Sequence, residues 1–374
     1  MQKQCFELVE GFRPNHKVHL IVHDVLKESK FAFFLALRKR VVQCFRDNPD
    51  IELVHCNDGV CAFFCQWIKK KYNIPVALTF HGLDLLWPNR FYQAMLPRIV
   101  SNFDALICVS DYTADECLER GFEKDKVHVV YNGVDLCPDQ FPERAEKALI
   151  ERIRKMQSSG RKILVSIGRP VLRKGFSWFV RNVMPGLRDD YYYIIIGPET
   201  RFNRLERILL SLLPEGWRHQ IFLFFGWTSD QDRLQELEQD PSFSKSFVWY
   251  RGLSYQAILY ALANSDLFVM PNVAVRGDAE GFGLVALESV IQGSFVLAAD
   301  TDGIPSAVTQ GENGWLIGSG QADDWIEKIA SYFEQSLNTR TTQIENAQSF
   351  VKSYYSWHRM VKGYERVFEK LVAS

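Results

Sequence analysis

The sequence lacks several features that would assign it quickly. No apolar run approaches the roughly 20 residues of a membrane span. Residues 1–11 mix charged and apolar side chains and show no signal-peptide pattern. Both absences predict a cytoplasmic protein. A dominant charge is missing too: 44 basic and 45 acidic residues in 374 leave a formal charge of −1, so no global field draws in nucleic acid. Cysteine is sparse, with eight residues. Cys56, Cys61 and Cys65 lie close together, but their spacing fits no zinc pattern. They read as buried thiols of a reducing compartment. No glycine-rich dinucleotide fingerprint follows an early strand and no P-loop is present, which argues against nicotinamide and P-loop nucleotides.

What is present is alternation. Strand-like apolar runs at 17–23, 51–55, 76–80, 105–109 and 127–130 are each followed by polar or helical sequence. A charged stretch at 142–160 reads as a linker helix. The rhythm resumes at 162–167, 192–196, 221–225, 247–250, 267–270 and 295–298. This predicts an α/β chain of two doubly wound, Rossmann-like domains, with boundaries at 1–155 and 156–351. An aromatic helical segment at 343–371 ends the chain, and its last part, about 352–374, is expected to pack back on the first domain.

The densest signal is a glutamate pair, Glu280 and Glu288, around Gly281-Phe282-Gly283-Leu284. The apolar tail of the segment reads as a buried helix starting near Gly283. Free N–H groups at such a start favour phosphate. Upstream, Gly168, Arg169 and Lys174 follow a strand and place two cations at a loop where ligands bind in this architecture.

Together these segments resemble retaining nucleotide-sugar glycosyltransferases of the GT-B fold, specifically glycosyltransferase family 4. The resemblance rests on Thr79-Phe80-His81-Gly82, Val130-Tyr131-Asn132-Gly133-Val134-Asp135, Ser166-Ile167-Gly168-Arg169 with Arg173-Lys174-Gly175, the glutamate segment, Asp300-Thr301-Asp302-Gly303-Ile304-Pro305, and Gly311-Glu312-Asn313-Gly314. It covers nearly the whole chain. It implies two domains facing a central cleft and same-face transfer of a sugar from a nucleotide diphosphate donor to a glycan or glycolipid. Surface polysaccharide or lipopolysaccharide is the expected product class.

By the same resemblance, Arg169 and Lys174 bind the diphosphate, assisted by Gly168 and the backbone at Gly283 and Leu284. Glu288 holds the ribose, Glu280 stands beside the transferred sugar, and His81 reaches sugar and phosphate from the first domain. Asn57, Asp58 and Asn132 fall on the acceptor side. The base is read near 251–254, with uracil, guanine and adenine all compatible. No cofactor and no metal are expected. Asp230-Gln231-Asp232 reads as a helix start, and Asp300-Thr301-Asp302 belongs to the loop motif.

The family's first strand and its glycine-rich loop are missing, so that 17–23 looks like the second strand. A start set too late, an activity that does without the loop, and a non-catalytic relative binding glycan or a partner protein all fit. A phosphorylase or epimerase relative is a further enzymatic alternative. Asp302 stands where glycine is usual, and Ser306 where glutamate is usual.

Residues 29–46 read as a helix with Phe31, Phe34, Leu35, Val41, Val42 and Phe45 packed on the sheet, and Phe33, Leu37 and Cys44 on another face. Residues 27–47 carry six basic and two acidic side chains, a net of +4. Trp67 and Lys69, Lys70 and Lys71 add a second basic aromatic cluster. Such a surface suits peripheral contact with anionic membrane.

Overall fold

The computed structural model describes residues 2–24, 26–136, 146–200, 209–214, 216–218, 221–222 and 227–373. The chain forms two compact units, Met1–Gly133 with Trp357–Ser374, and Val134–Ser356. These divisions lie at 133/134 and 356/357, where the sequence suggests 155/156 and 351/352.

The first unit holds a parallel sheet of β1 (Val54–Cys56), β2 (Val76–Phe80), β3 (Ala105–Cys108) and β4 (Val127–Val129), in that order. Every residue of β2 and β3 is buried, as continuous apolar runs in a sheet covered on both faces require. One face carries Phe33, Leu37, Phe80, Leu96 and Phe103 among others. The other is covered by helix Gln2–Phe12 and helix Trp357–Ala373, whose Met360, Val361, Tyr364 and Val367 recur at helical spacing. A buried chain of hydrogen bonds joins these helices to the sheet. Gln4 Nε2 donates to the Tyr364 hydroxyl (3.0 Å), which pairs with Thr79 Oγ1 (3.0 Å), which pairs in turn with His55 Nε2 (2.8 Å).

The second unit has a six-stranded parallel sheet ordered β10-β9-β8-β5-β6-β7. Its strands are β5 (Lys162–Ile167), β6 (Tyr191–Ile196), β7 (Phe247–Tyr250), β8 (Leu267–Met270), β9 (Val296–Asp300) and β10 (Trp315–Gly318). Phe179, Tyr193, Trp325 and Tyr332 fill its principal core. From β5 the chain adds strands in one direction, then returns to place β8 on the other side. The β5–β8 junction is therefore the topological switch point, where α/β sheets open a crevice for ligands.

Four expectations are corrected. Residues 17–23 join no sheet among the described residues; a strand needs a ladder partner as well as an apolar run, and here only Ile21 packs on the core while Leu20 and Val22 are exposed. Ile221 and Phe222, expected in a strand, are helical, and residues 223–226 lie outside the described residues, as does 137–145 of the linker region. The terminal helical segment is two helices, Leu337–Tyr354 and Trp357–Ala373. Finally, helix Lys30–Asp47 is turned about its axis from the expected orientation: of the expected stripe Val41 is buried and Phe34 and Phe45 pack on the core, joined by Phe33 and Leu37 from the other face. Phe33, Leu37 and Val41 are buried, whereas Phe31 and Leu35 are 75% and 70% exposed. Ser29 caps this helix, accepting from the Ala32 N–H.

Candidate functional site

Loops after β5, β8 and β9 meet at the switch point and bring charge together. Lys174 follows β5 in a short turn that ends at Gly175. There φ is +65°, and a Cβ would lie 2.0 Å from the Pro271 carbonyl oxygen after β8. Only glycine allows that approach, and it docks the cationic turn against the β8 loop. Val273 N–H donates to the Arg173 carbonyl at 2.9 Å and braces the same contact.

The side chains then converge on Glu280. Lys174 Nζ lies 2.6 Å from Glu280 Oε2, and Arg173 Nη1 pairs with the same oxygen. Asn272 Nδ2 stands 3.4 Å from it. Arg173 Nε also pairs with Asp278 Oδ1 at 2.9 Å. Burial alone would push the Glu280 carboxyl up, but Arg173 and Lys174 outweigh it and hold the value at about 2. Burial lowers Lys174, against the attraction of Glu280. Arg169 is exposed beside this cluster; burial of part of its side chain and the neighbouring Arg173 both lower it.

The backbone of Glu280 is also fixed. Its N–H donates to Asp302 Oδ2 at 3.1 Å, and its carbonyl accepts from the Gly303 N–H at 2.9 Å. Asp302 sits at φ +53°, in the left-handed region that glycine favours and aspartate tolerates. The replacement thus keeps the backbone shape and adds an acceptor.

Gly283 has φ +99° and precedes helix Leu284–Ile291. Leu284 and Val285 open its first turn, where N–H groups have no intrahelical acceptor. Glu288 lies in the second turn and lines a small pocket with Asp135, Tyr255, Leu259 and Gln292. The two glutamates therefore serve different neighbourhoods, Glu280 among cations and Glu288 beside Tyr255. Of the stretch 251–254, expected to read the base, Arg251 packs 3.9 Å over the Trp249 ring and pairs with Glu238. Ser254 caps the helix Tyr255–Ala263.

In the first unit, His81 follows β2. Its Nε2 donates to the Asn57 carbonyl at 2.9 Å, and its own N–H donates to Asp84 Oδ1 at 2.8 Å. Burial drives the imidazole down to about 3, so the ring is neutral. With Nε2 as donor, Nδ1 is the remaining acceptor. Asp84 also accepts from the Gly59 N–H at 3.2 Å. Burial raises its carboxyl to about 7. Asp58 caps helix Gly59–Cys65 through the Cys61 N–H at 2.7 Å, so that its carboxylate has a structural task. The buried Oδ1 atoms of Asn57 and Asn132 accept no hydrogen bond among the described residues.

The motifs single out Arg169, Lys174, Glu280 and His81, but not Arg173, Asn272, Asp278 or Asp84. Arg173 was within reach of sequence reading because it lies in the Arg-Lys-Gly turn. Among the described residues no group of three His, Cys, Asp or Glu side chains is arranged to hold a metal ion. Asp230 accepts from the Ser177 N–H and hydroxyl instead, and Asp302 from Glu280. No helix of the described residues is long and apolar enough to cross a membrane.

Residues 2–137 match the family model Glycosyltransferase Family 4, and residues 150–350 match Glycosyl transferases group 1. An uncharacterized glycosyltransferase of Methanocaldococcus jannaschii is 23% identical over 97% of this chain and 88% of its own length. An Escherichia coli protein provisionally named a colanic acid biosynthesis glycosyltransferase is 22% identical over 74% of this chain and 60% of its own. The crystal structure of Anabaena HepE in complex with UDP and glucose matches at a TM-score of 0.69 and 15% identity, covering 98% of this chain and 95% of that one. At that identity the likeness is one of fold.

Proposed function

The chain belongs to the glycosyl transferases group 1 family and has the GT-B fold, and from that premise we propose that it transfers a hexosyl group, with retention and without a metal, from a nucleotide diphosphate sugar to a glycan or glycolipid. The observation that carries this reading is the cationic cluster around Glu280 at the β5–β8 switch point. When the anomeric carbon–oxygen bond breaks, its electron pair leaves with the diphosphate. Fixed cations aimed at that charge lower the barrier. Arg169 and Lys174 supply them, with Gly168 and the N–H groups at Gly283 and Leu284 alongside. The acceptor hydroxyl attacks from the face the diphosphate leaves and gives its proton to the departing oxygen. Glu280 stabilises positive charge at the anomeric carbon.

Glu288 takes the ribose hydroxyls in the pocket shared with Asp135 and Tyr255. His81 offers Nδ1 to a sugar hydroxyl. Asn57, Asp58 and Asn132 are assigned to the acceptor side, Asp58 only through the helix it caps. HepE was solved with UDP and glucose, which supports a nucleotide-sugar donor here. Calorimetry with UDP, GDP and ADP tests the assignment. One nucleotide should bind in the micromolar range, and Glu288→Ala should weaken it about 10- to 100-fold, as expected for charge-assisted hydrogen bonds. Binding of none, or binding indifferent to Glu288, overturns it.

The acceptor class is a surface polysaccharide or lipopolysaccharide precursor at the cytoplasmic face of a membrane. The support is a corrected surface. Exposed Phe31 and Leu35 lie on the helix whose Phe34 stacks on Phe64 at 4.8 Å. Arg38 and Lys71 lie 5.0 and 5.4 Å over the Trp67 ring. Apolar side chains beside cations suit anionic lipid. The protein should sediment with anionic vesicles at low salt and be released at high salt. Phe31→Ser with Leu35→Ser should abolish sedimentation, and indifference to lipid charge would sink the idea.

A further inference from the structure

Resting on the donor-site reading above, we propose that Arg173 is a positioning residue for the transfer: bridging Asp278 and Glu280, it ties Glu280 Oε2 to the protein and leaves Oε1 as the oxygen offered to the sugar.

The contacts divide the carboxylate unequally. Arg173 Nη1, Lys174 Nζ and Asn272 Nδ2 all address Oε2. Among the described residues Oε1 accepts no hydrogen bond, although an ionised carboxylate has room for about four donors. A carboxylate held this way is fixed in rotation and open at one oxygen. With its backbone held by Asp302 and Gly303, Glu280 is preorganised from both ends.

Arg173 differs from its two basic neighbours. Its guanidinium is committed on two edges, Nε to Asp278 and Nη1 to Glu280, and its side chain is only 13% exposed. Asp278 is buried as well, so that its carboxylate needs this partner. Bridging two carboxylates requires the planar fork of arginine, and a lysine ammonium cannot reproduce it. Arg169 is exposed beside the cluster, and Lys174 meets Glu280 Oε2 through a single ammonium that, among the described residues, bridges no second carboxylate. Arg173 is thus the cation committed to carboxylates on both sides, while Arg169 and Lys174 keep the diphosphate role proposed above.

The test compares Arg173→Gln, Arg173→Lys, Asp278→Asn and Arg169→Gln, with thermal melts to confirm folding. Arg173→Gln should lower kcat for donor-sugar hydrolysis or transfer about 10- to 100-fold, while nucleotide Kd stays within about threefold. Arg169→Gln should do the reverse. The groups facing Glu280 are Arg169, Arg173, Lys174, Asp278 and Asp302. Removing Arg173 takes away one cation, so the acid limb of kcat should move to higher pH. Asp278→Asn should lower kcat less and move the acid limb to lower pH, because it takes away an anion rather than a cation, and Arg173→Lys should not rescue kcat.

Loss of nucleotide affinity in Arg173→Gln equal to that of Arg169→Gln would overturn the proposal and make Arg173 a phosphate ligand. Unchanged kcat and an unmoved acid limb would make it a bystander. If the wild type binds no nucleotide and turns over no donor, the donor-site reading fails. The positioning claim is then decided by titrating the carboxyl carbon of Glu280 by NMR in wild type and Arg173→Gln. An upward shift in the variant supports the bridge, and coincident curves refute it. Should Arg173→Gln fail to fold, Arg173→Lys decides by its kcat-against-Kd split: lowered kcat with unchanged nucleotide Kd supports the bridge, and unchanged kcat refutes it.

Discussion

The strand ends of the two units hold ionisable side chains in opposite ways. After β5 and β8, Glu280 is paired with Arg173 and Lys174, and its carboxyl is pulled down to about 2. After β2, His81 and Asp84 form no ion pair among the described residues and lean on backbone groups. There burial prevails, with the histidine pushed down to about 3 and the aspartate up to about 7. One region is a fixed array of charges and the other is a neutral lattice of hydrogen bonds. Fixed charges suit a reacting diphosphate, whose charge grows at the transition state. A neutral polar rim suits hydroxyl groups, which need direction without a strong field.

The comparison breaks most sharply at Glu280. Glu280→Gln should lower turnover by about 10²- to 10³-fold, the usual range when a preorganised electrostatic group is removed. Nucleotide affinity should hold or rise, because the variant releases Lys174 and removes a negative charge near the diphosphate. Folding should weaken by about 3 kcal/mol, since Arg173 and Lys174 lose a buried partner. Steady-state kinetics with calorimetry on the same variant separates these effects. A variant that lost nucleotide binding and kept its turnover number would mean that Glu280 is a donor ligand and that the array is not built for the transition state.

Which parts were legible follows from the same physics. Residues 76–80, 162–167 and 267–270 could be read as strands because a parallel strand buried on both faces is a continuous apolar run. Residues 17–23 carry a similar run but no partner, and a one-dimensional pattern does not show pairing. The helix Lys30–Asp47 is apolar on two sides. Periodicity therefore could not choose between Phe31 with Leu35 and Phe33 with Leu37. At the site, Arg169, Lys174 and Glu280 stand at characteristic spacings. The Arg173–Asp278 pair spans 105 residues and becomes visible only when β8 returns beside β5. Asp84 was passed over because its significance lies in what surrounds it, two backbone N–H groups and, among the described residues, no ion-pair partner.

Asp84 offers the smaller test, on the neutral side of the comparison. Its folded value of about 7 lies above the ordinary 3.8. A raised carboxyl is protonated in the folded protein and ionised in the unfolded chain between those limits. Its stabilising contribution is complete below about 4 and is lost as pH rises through about 7. His81 and His55 are depressed, to about 3 and about 4. Their contribution is complete above 6.5 and is lost as pH falls, opposite in sign to that of Asp84. Wild type and Asp84→Asn share both histidines, so the difference between their stability curves isolates the aspartate. That difference should change by on the order of 3 kcal/mol between pH 4 and pH 7, with the wild type losing ground as pH rises. The variant also leaves the His81 or Gly59 N–H poorly paired, which costs about 1 kcal/mol at every pH and shifts the curve without tilting it. Denaturant melts at pH 4, 5.5 and 7 measure the tilt. Parallel curves would show that Asp84 is ionised throughout, and the first unit would then hold a buried charge as the second does.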